Sequence, residues 1–325
     1  MGRFSLSTLA ALLLVLGPIS CGPAKPDEGP LVIAVIPKGT THEFWKAIHA
    51  GALEASRELG VKVEWKGPVK EDDRAAQIRV VEDFITAKVD GIVLAPLDDT
   101  ALAGVVHEAT AEGIPVVIID SGLQSQETVS FVATDNYKGG ELAGKRLGER
   151  LGGKGKVLML RYQEGSASTM QREAGFLDRL KADFPEIEVV SSNQYGGATT
   201  ETSYQAAENL LVRFEQLDGI FCPNESTTFG MLRALQDAGR AGKLVFVGFD
   251  SSQKLIDALR SGEIDALVLQ NPYRMGELGV RTMVDHLQGK NVAALIDTGV
   301  ALATRENMET PEIGALLSPD LSALK

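Results

Sequence analysis

Cysteine is almost absent: the 325 residues contain two, Cys21 and Cys222. They offer no disulfide framework, so stability must come from a packed core, which a chain of this size can supply. Histidine is scarce too. His42, His49, His107 and His286 are scattered with no i, i+4 pair, so no metal site is expected. Basic charge is in deficit, with 32 Lys and Arg against 44 Asp and Glu and a net charge of -12. That excludes nucleic acid as the main partner, because phosphate binding needs a basic face. The mature part lacks a run of about 18 apolar residues, so it has no spanning helix. Nucleotide motifs are missing as well. Gly148 to Lys154 has Walker spacing, but Gly155 replaces the hydroxyl and the helix comes before the strand. No Gly-x-Gly-x-x-Gly follows the first strand, and there is no Gly-x-Ser-x-Gly elbow. Neither a cofactor nor an enzymatic reaction is therefore expected.

What is present begins with an address. Arg3 precedes the short apolar run Leu6 to Gly17, which is too short to span a bilayer and fits a secretory leader. Ser20 and Cys21 follow, then a Gly- and Pro-rich tract to Pro30. This resembles a bacterial lipoprotein leader: a signal peptide over 1–20, lipidation at Cys21 and a flexible tether over 21–30. Pro18 departs from the pattern, which has Leu or a similar residue three before the Cys. The expected location is periplasmic or cell-surface, held to the membrane by the lipid alone.

From residue 31 onward, apolar strand runs alternate with helix-period segments, the signature of a parallel α/β fold. Strands are expected at 31–36, 61–65, 91–95, 115–120, 129–133, 156–161, 187–191, 219–222, 244–249 and 266–269. Helices are expected near 43–59, 74–88, 100–112, 137–151, 169–183, 200–216, 226–239, 253–260 and 273–288. Two stretches echo each other. One runs from Asp90-Gly91-Ile92 to Val116-Val117-Ile118-Ile119-Asp120, the other from Asp218-Gly219-Ile220 to Val245-Phe246-Val247-Gly248-Phe249-Asp250. Each is a strand, a crossover helix and a strand with a carboxylate at its C-terminal tip. Ligands bind beyond the carboxyl ends of such strands, so two similar lobes should face one cleft. The first lobe holds 31–134 and the second starts near Asp135 and Asn136.

Polar and aromatic residues collect at the strand ends. Lys38-Gly39-Thr40-Thr41-His42-Glu43-Phe44-Trp45 follows the first strand. Aromatic rings pack on the C–H faces of a sugar, while charged and amide groups satisfy its hydroxyls. Read alone, Phe44 and Trp45 are equally staples for the next helix, and the aspartates plain caps. The duplication of Asp120 and Asp250 behind buried strands favours a site. Glu71-Asp72-Asp73 and Asp98-Asp99 read as acidic helix starts, placed to complement the dipole.

These residues resemble the type I periplasmic sugar-binding proteins of the ribose-binding class, the solute receptors of sugar ABC transporters. The resemblance spans 31–305 and rests on His42 with Phe44-Trp45, Ile119-Asp120 and Ala133-Thr134-Asp135-Asn136 with Gly139-Gly140. Gln171-Arg172-Glu173-Ala174-Gly175-Phe176, Pro223-Asn224-Glu225, Val247-Gly248-Phe249-Asp250 and Gln270 continue it. It implies two doubly wound lobes joined by a hinge: 31–134 plus 271–296, and 135–270 plus 297–325. It also implies ligand contacts from His42, Phe44, Trp45 and Asp120 in the first lobe, and from Arg172, Asn224 and Asp250 in the second, with Gln270 at the hinge. The implied ligand is a monosaccharide or polyol, the partner an ABC permease, and the state monomeric. The same fold also serves sensors that feed a chemoreceptor or kinase. Ser121 replaces the Arg of ribose binders, Ala95 replaces a polar residue, and Tyr195, Thr199 or Thr200 would have to supply the second-lobe aromatic position.

Overall fold

The computed structural model describes residues 1–2 and 29–325. The expected leader, Cys21 and most of the tether lie outside the described residues. The strands are β1 Val32–Ile36, β2 Lys62–Trp65, β3 Gly91–Leu94, β4 Val116–Ile119, β5 Ser130–Ala133, β6 Lys154–Arg161, β7 Glu186–Tyr195, β8 Gly219–Phe221, β9 Val245–Phe249, β10 Ala266–Leu269, β11 Leu295–Asp297 and β12 Ala301–Thr304. The helices are α1 Glu43–Leu59, α2 Arg74–Ala87, α3 Ala103–Ala111, α4 Asn136–Arg150, α5 Ala167–Asp183, α6 Thr200–Arg213, α7 Glu225–Asp237, α8 Gln253–Ser261, α9 Pro272–Leu287 and α10 Pro311–Leu317.

Two six-stranded sheets form two lobes, in the orders β2-β1-β3-β4-β5-β11 and β7-β6-β8-β9-β10-β12. All pairings are parallel except β10 with β12. The period of two in β1 shows why both faces are covered. Ile33 and Val35 pack with Trp45, Ile48 and Met283 from α1 and α9. Ala34 and Ile36 pack with Val81 and Val106 from α2 and α3. In the second lobe, Val157 and Met159 of β6 meet Phe176 of α5, while Leu158 and Leu160 meet the α6 and α7 side. The expectation of strands apolar on both faces holds for the centres. It fails for β2 and β7, which are edge strands with one side of the ladder open. Three short elements had no strong pattern to announce them: β11, β12 and α10.

The chain passes between the sheets at 134–135, 270–271 and 298–300. At the second passage Asn271 caps α9 by accepting from the Arg274 N–H, and Pro272 fits the first turn. The tail then departs from the expectation that 297–325 stays with the second lobe. Its final 3-10 turn, Ser322–Leu324, lies on α1, where Arg57 donates to the Ala323 carbonyl at 2.9 Å.

The echo extends to helix packing. A Cβ on Gly140 of α4 would stand 1.9 Å from the Arg172 carbonyl of α5, and one on Gly51 of α1 would stand 1.9 Å from the Tyr273 carbonyl of α9. Each lobe thus has an equivalent pair of helices in backbone contact at a glycine, where no side chain would fit. Gly140→Ala must push α5 away, and overpacking of this kind costs about 1–3 kcal/mol. A lower urea midpoint checks this. Unchanged stability would show that α4 and α5 part without cost.

Candidate functional site

The site lies where the carboxyl ends of both sheets face each other. Asp120 and Asp250 occupy equivalent places. The Asp120 N–H donates to Val132 across to β5, and the Asp250 N–H donates to Val268 across to β10. Both residues are left-handed, with φ of 63° and 67°. A non-glycine residue there is uncommon, and Asp and Asn tolerate it better than most because their short side chains bond locally. Local strain retained twice at matching strand tips marks these tips as built for a purpose.

One pocket brings together seven of the expected residues: His42, Phe44, Trp45, Asp120, Arg172, Asn224 and Asp250. Gln270 joins through its side chain, whose Nε2 donates to Asp250 Oδ1 at 2.7 Å, though it faces an adjoining cavity. Asp250 Oδ2 accepts from the Glu225 N–H at 3.0 Å and lies 3.9 Å from Arg172 Nη1. Burial pushes the Asp250 carboxyl up, and the Arg172 charge opposes that push. Arg172 is held flat: it stacks 4.0 Å over Phe249 and donates to Asn136 Oδ1 and the Pro223 carbonyl. Asn224 caps α7, accepting from the Thr227 N–H. Phe44 and Trp45 meet edge to face, with ring centroids 5.0 Å apart.

Sequence reasoning missed Lys38, Glu71, Tyr162, Ser166, Ser168, Thr169 and Glu225, which also line the pocket. Glu71 corrects a specific reading. Asp73 does cap α2, accepting from Ala76, but Glu71 turns inward and is 5% exposed. Its Oε1 accepts from Trp45 Nε1 at 2.6 Å and meets His42 Nδ1, and its Oε2 accepts from the Tyr162 hydroxyl at 2.5 Å. Burial alone would raise Glu71, but His42, Tyr162 and Trp45 hold it at about 2. Burial alone would lower His42, but the Glu71 carboxylate raises it to about 9, so it is a cation at neutral pH. The buried Glu71 charge thereby fixes both the imidazole and the indole. Lys38 Nζ lies 2.9 Å from Asp120 Oδ2 and also donates to Ser166 and Ser168 in the other lobe. Tyr195, Thr199 and Thr200 are not in the pocket: Tyr195 lies under Arg161 and Thr199 caps α6.

The lobes are drawn together. Ser121 Oγ accepts from the Ser168 N–H, and Glu225 of the second lobe accepts from the Glu43 and Phe44 N–H groups that open α1. Those donors are otherwise unpaired at a helix start, where a carboxylate is favoured. Free space in the pocket is only about 30 Å3, so a small ligand enters only when the lobes part. A larger cavity of about 400 Å3 lies beside it. We place the primary site in the smaller pocket, because the charged and aromatic side chains of both lobes converge there.

Residues 33–291 match the family described as periplasmic binding protein domain. The chain is 31% identical to the D-ribose/D-allose-binding protein of Pseudomonas aeruginosa, over 88% of this chain and 92% of that one. It is 29% identical to the ribose import binding protein of Bacillus subtilis, over 81% and 84%. Among solved structures, a carbohydrate transporter solute binding protein from Agrobacterium radiobacter in complex with D-arabinose superposes with a TM-score of 0.87 at 34% identity, covering 90% of this chain and 100% of that one. An ABC transporter solute binding protein from Agrobacterium vitis with bound D-fucose gives 0.85 at 38% identity, covering 88% and 100%.

Proposed function

The chain belongs to the periplasmic binding protein domain family, and from that membership we propose that it is an extracytoplasmic solute-binding protein for a monosaccharide or polyol. It captures the ligand between its lobes and delivers it to an ABC permease. The observation that carries the reading is the charge balance of the pocket. The cations Lys38, His42 and Arg172 stand against the carboxylates Glu71, Asp120 and Asp250. Glu225, raised by burial to about 7, is close to half-protonated at neutral pH. A pocket this close to charge balance suits a neutral ligand. Its many fixed donors and acceptors suit hydroxyl groups, and Phe44 and Trp45 suit the apolar face of a sugar ring. Relatives named for ribose and allose, or holding arabinose and fucose, point to the same ligand class. Loss of the ribose binders' Arg at Ser121 points away from ribose itself.

Binding follows a hinge closure. With the lobes apart, Asp120, His42 and the two rings meet the ligand from one side. Closure brings in Arg172, Asn224 and Asp250. In this reading 31–134 with 271–296 and the final turn moves against 135–270 with 297–321.

A thermal-shift screen of residues 22–325, refolded to strip cargo, tests the proposal. The panel spans pentoses, hexoses, polyols, amino acids and nucleosides. A ligand at 100 times its dissociation constant should add about 2.7 kcal/mol. A sugar or polyol hit is expected, and a hit confined to amino acids or nucleosides would sink the sugar reading. Lipid attachment at Cys21 is part of the same proposal. Cys21→Ser should move the protein from the membrane to the soluble fraction, and continued sedimentation with membranes would count against the anchor.

A further inference from the structure

The cavity of about 400 Å3 beside the pocket is within the size range of small-molecule sites. Phe44 and Asp250 stand in the walls of both spaces. The other walls come from three parts of the fold: the first turn of α1, the loop between β9 and α8 with Ser251 and Ser252, and the tail from Leu316 to Leu321. Ala47, Ile256, Leu269 and Leu317 make much of this surface apolar. Gln270 lines the same cavity and is 3% exposed. Its Nε2 is bound to Asp250, but its Oε1 accepts from no group among the described residues. A buried amide oxygen normally has a donor, and this one stands without a donor at the edge of the cavity.

Resting on the sugar reading above, we propose that this cavity receives the aglycone of a glycoside whose sugar ring occupies the polar pocket. The ligand class is then a monosaccharide bearing a small, largely apolar group at its anomeric carbon. A free monosaccharide would use the polar pocket and leave the larger apolar-walled space unfilled. A glycoside fills both spaces. Because the walls belong to both lobes and the tail, the aglycone gains its full set of contacts only when the lobes are closed. Its binding energy therefore adds to closure.

The test repeats the screen with the methyl and phenyl glycosides, in both anomers, of each aldose in the panel, followed by calorimetry on the hits. One phenyl glycoside should bind about tenfold or more tighter than its methyl counterpart, as burial of a few apolar groups gives. Ser252→Trp should remove that advantage and lower the methyl glycoside's affinity far less than the phenyl one's. Ser252 stands in the cavity wall and makes no side-chain cap bond to α8. Ala47→Leu fills the space from α1 and provides an independent check. A phenyl glycoside no tighter than the methyl one overturns the proposal. So does a phenyl advantage that survives both variants, because the ring would then sit elsewhere. If neither sugars nor glycosides bind, the sugar reading itself fails.

Discussion

Asp250→Asn lowers ligand affinity by roughly one to two orders of magnitude, because hydrogen bonds to a charged group are each worth about 1.5–3 kcal/mol. Asn is the informative replacement. It keeps the shape and tolerates the left-handed φ of 67° at this position, so the backbone stays in place. What changes is charge and one acceptor: Arg172 loses the carboxylate 3.9 Å from its Nη1, either the Glu225 N–H or Gln270 Nε2 meets an amide nitrogen in place of an oxygen, and the ligand loses an ionised acceptor. Asp250→Ala should be worse than Asn in stability as well as binding. It places a residue with no local side-chain bond in the left-handed region, at about 1–2 kcal/mol. It also leaves the Glu225 N–H and Gln270 Nε2 without their acceptor. Calorimetry and urea unfolding on both variants check the pair. Wild-type affinity in Asp250→Asn would remove Asp250 from the binding site, and equal stability of the two variants would show that the strand tip carries no strain.

The parts of this molecule legible in its sequence are those where one physical cause dominates. The runs Leu31 to Ile36 and Val116 to Ile119 read as strands because both faces are buried and nearly every residue is apolar. Gly60 ends α1 in the left-handed region, as its place after the apolar pattern implies. By contrast β11 is three residues long with Leu295 exposed, and β12 is the ordinary-looking Ala301-Leu302-Ala303-Thr304, so neither has a pattern to announce it. The same contrast runs through the site. Asp120 and Asp250 were visible because they repeat. Lys38 lies two residues beyond β1, one further out than Asp120 beyond β4, and it sits in the polar run that the strand-end rule already pointed to. Glu71 had no such signal. An acid two residues before a helix cap is ordinary, and only the path of the loop after β2 turns it under Trp45. Glu225 was hidden by its own position, because an acid at a helix start already has an explanation at its own helix. Its real partner is the start of α1 in the other lobe, a relation no spacing along the chain reveals.

The Glu225 relation makes stability fall as pH rises from about 4.5 to 7, and His42 extends the fall toward 9. Glu225 moves from an ordinary 4.5 to about 7 in the folded protein, through burial first and the Asp250 charge beside it, against the pull of His42 and the Phe44 and Glu43 N–H groups. A raised folded value means the folded state holds the extra proton, so this contribution is complete below 4.5 and lost as pH rises through 7. A shift of that size corresponds to about 3 kcal/mol as an upper figure. His42 acts in the next window. Its value rises from 6.5 to about 9, so its contribution is complete below 6.5 and lost as pH rises through 9. Glu71 has the opposite sign: held at about 2, it contributes above 4.5 and is lost only as pH falls through 2. Asp250, also raised by burial, adds to the loss on the alkaline side of its own titration. The melting temperature should therefore be highest near pH 5 and decline in two stages toward pH 9. Glu225→Gln keeps an amide oxygen for the α1 N–H groups but cannot titrate. It should flatten the stage between pH 4.5 and 7 and leave the later one, which belongs to His42. A Glu225→Gln profile parallel to wild type across the whole range would mean that the carboxylate is not buried against α1. The lobes would then be held together by the Lys38, Ser121 and Glu71 contacts without it.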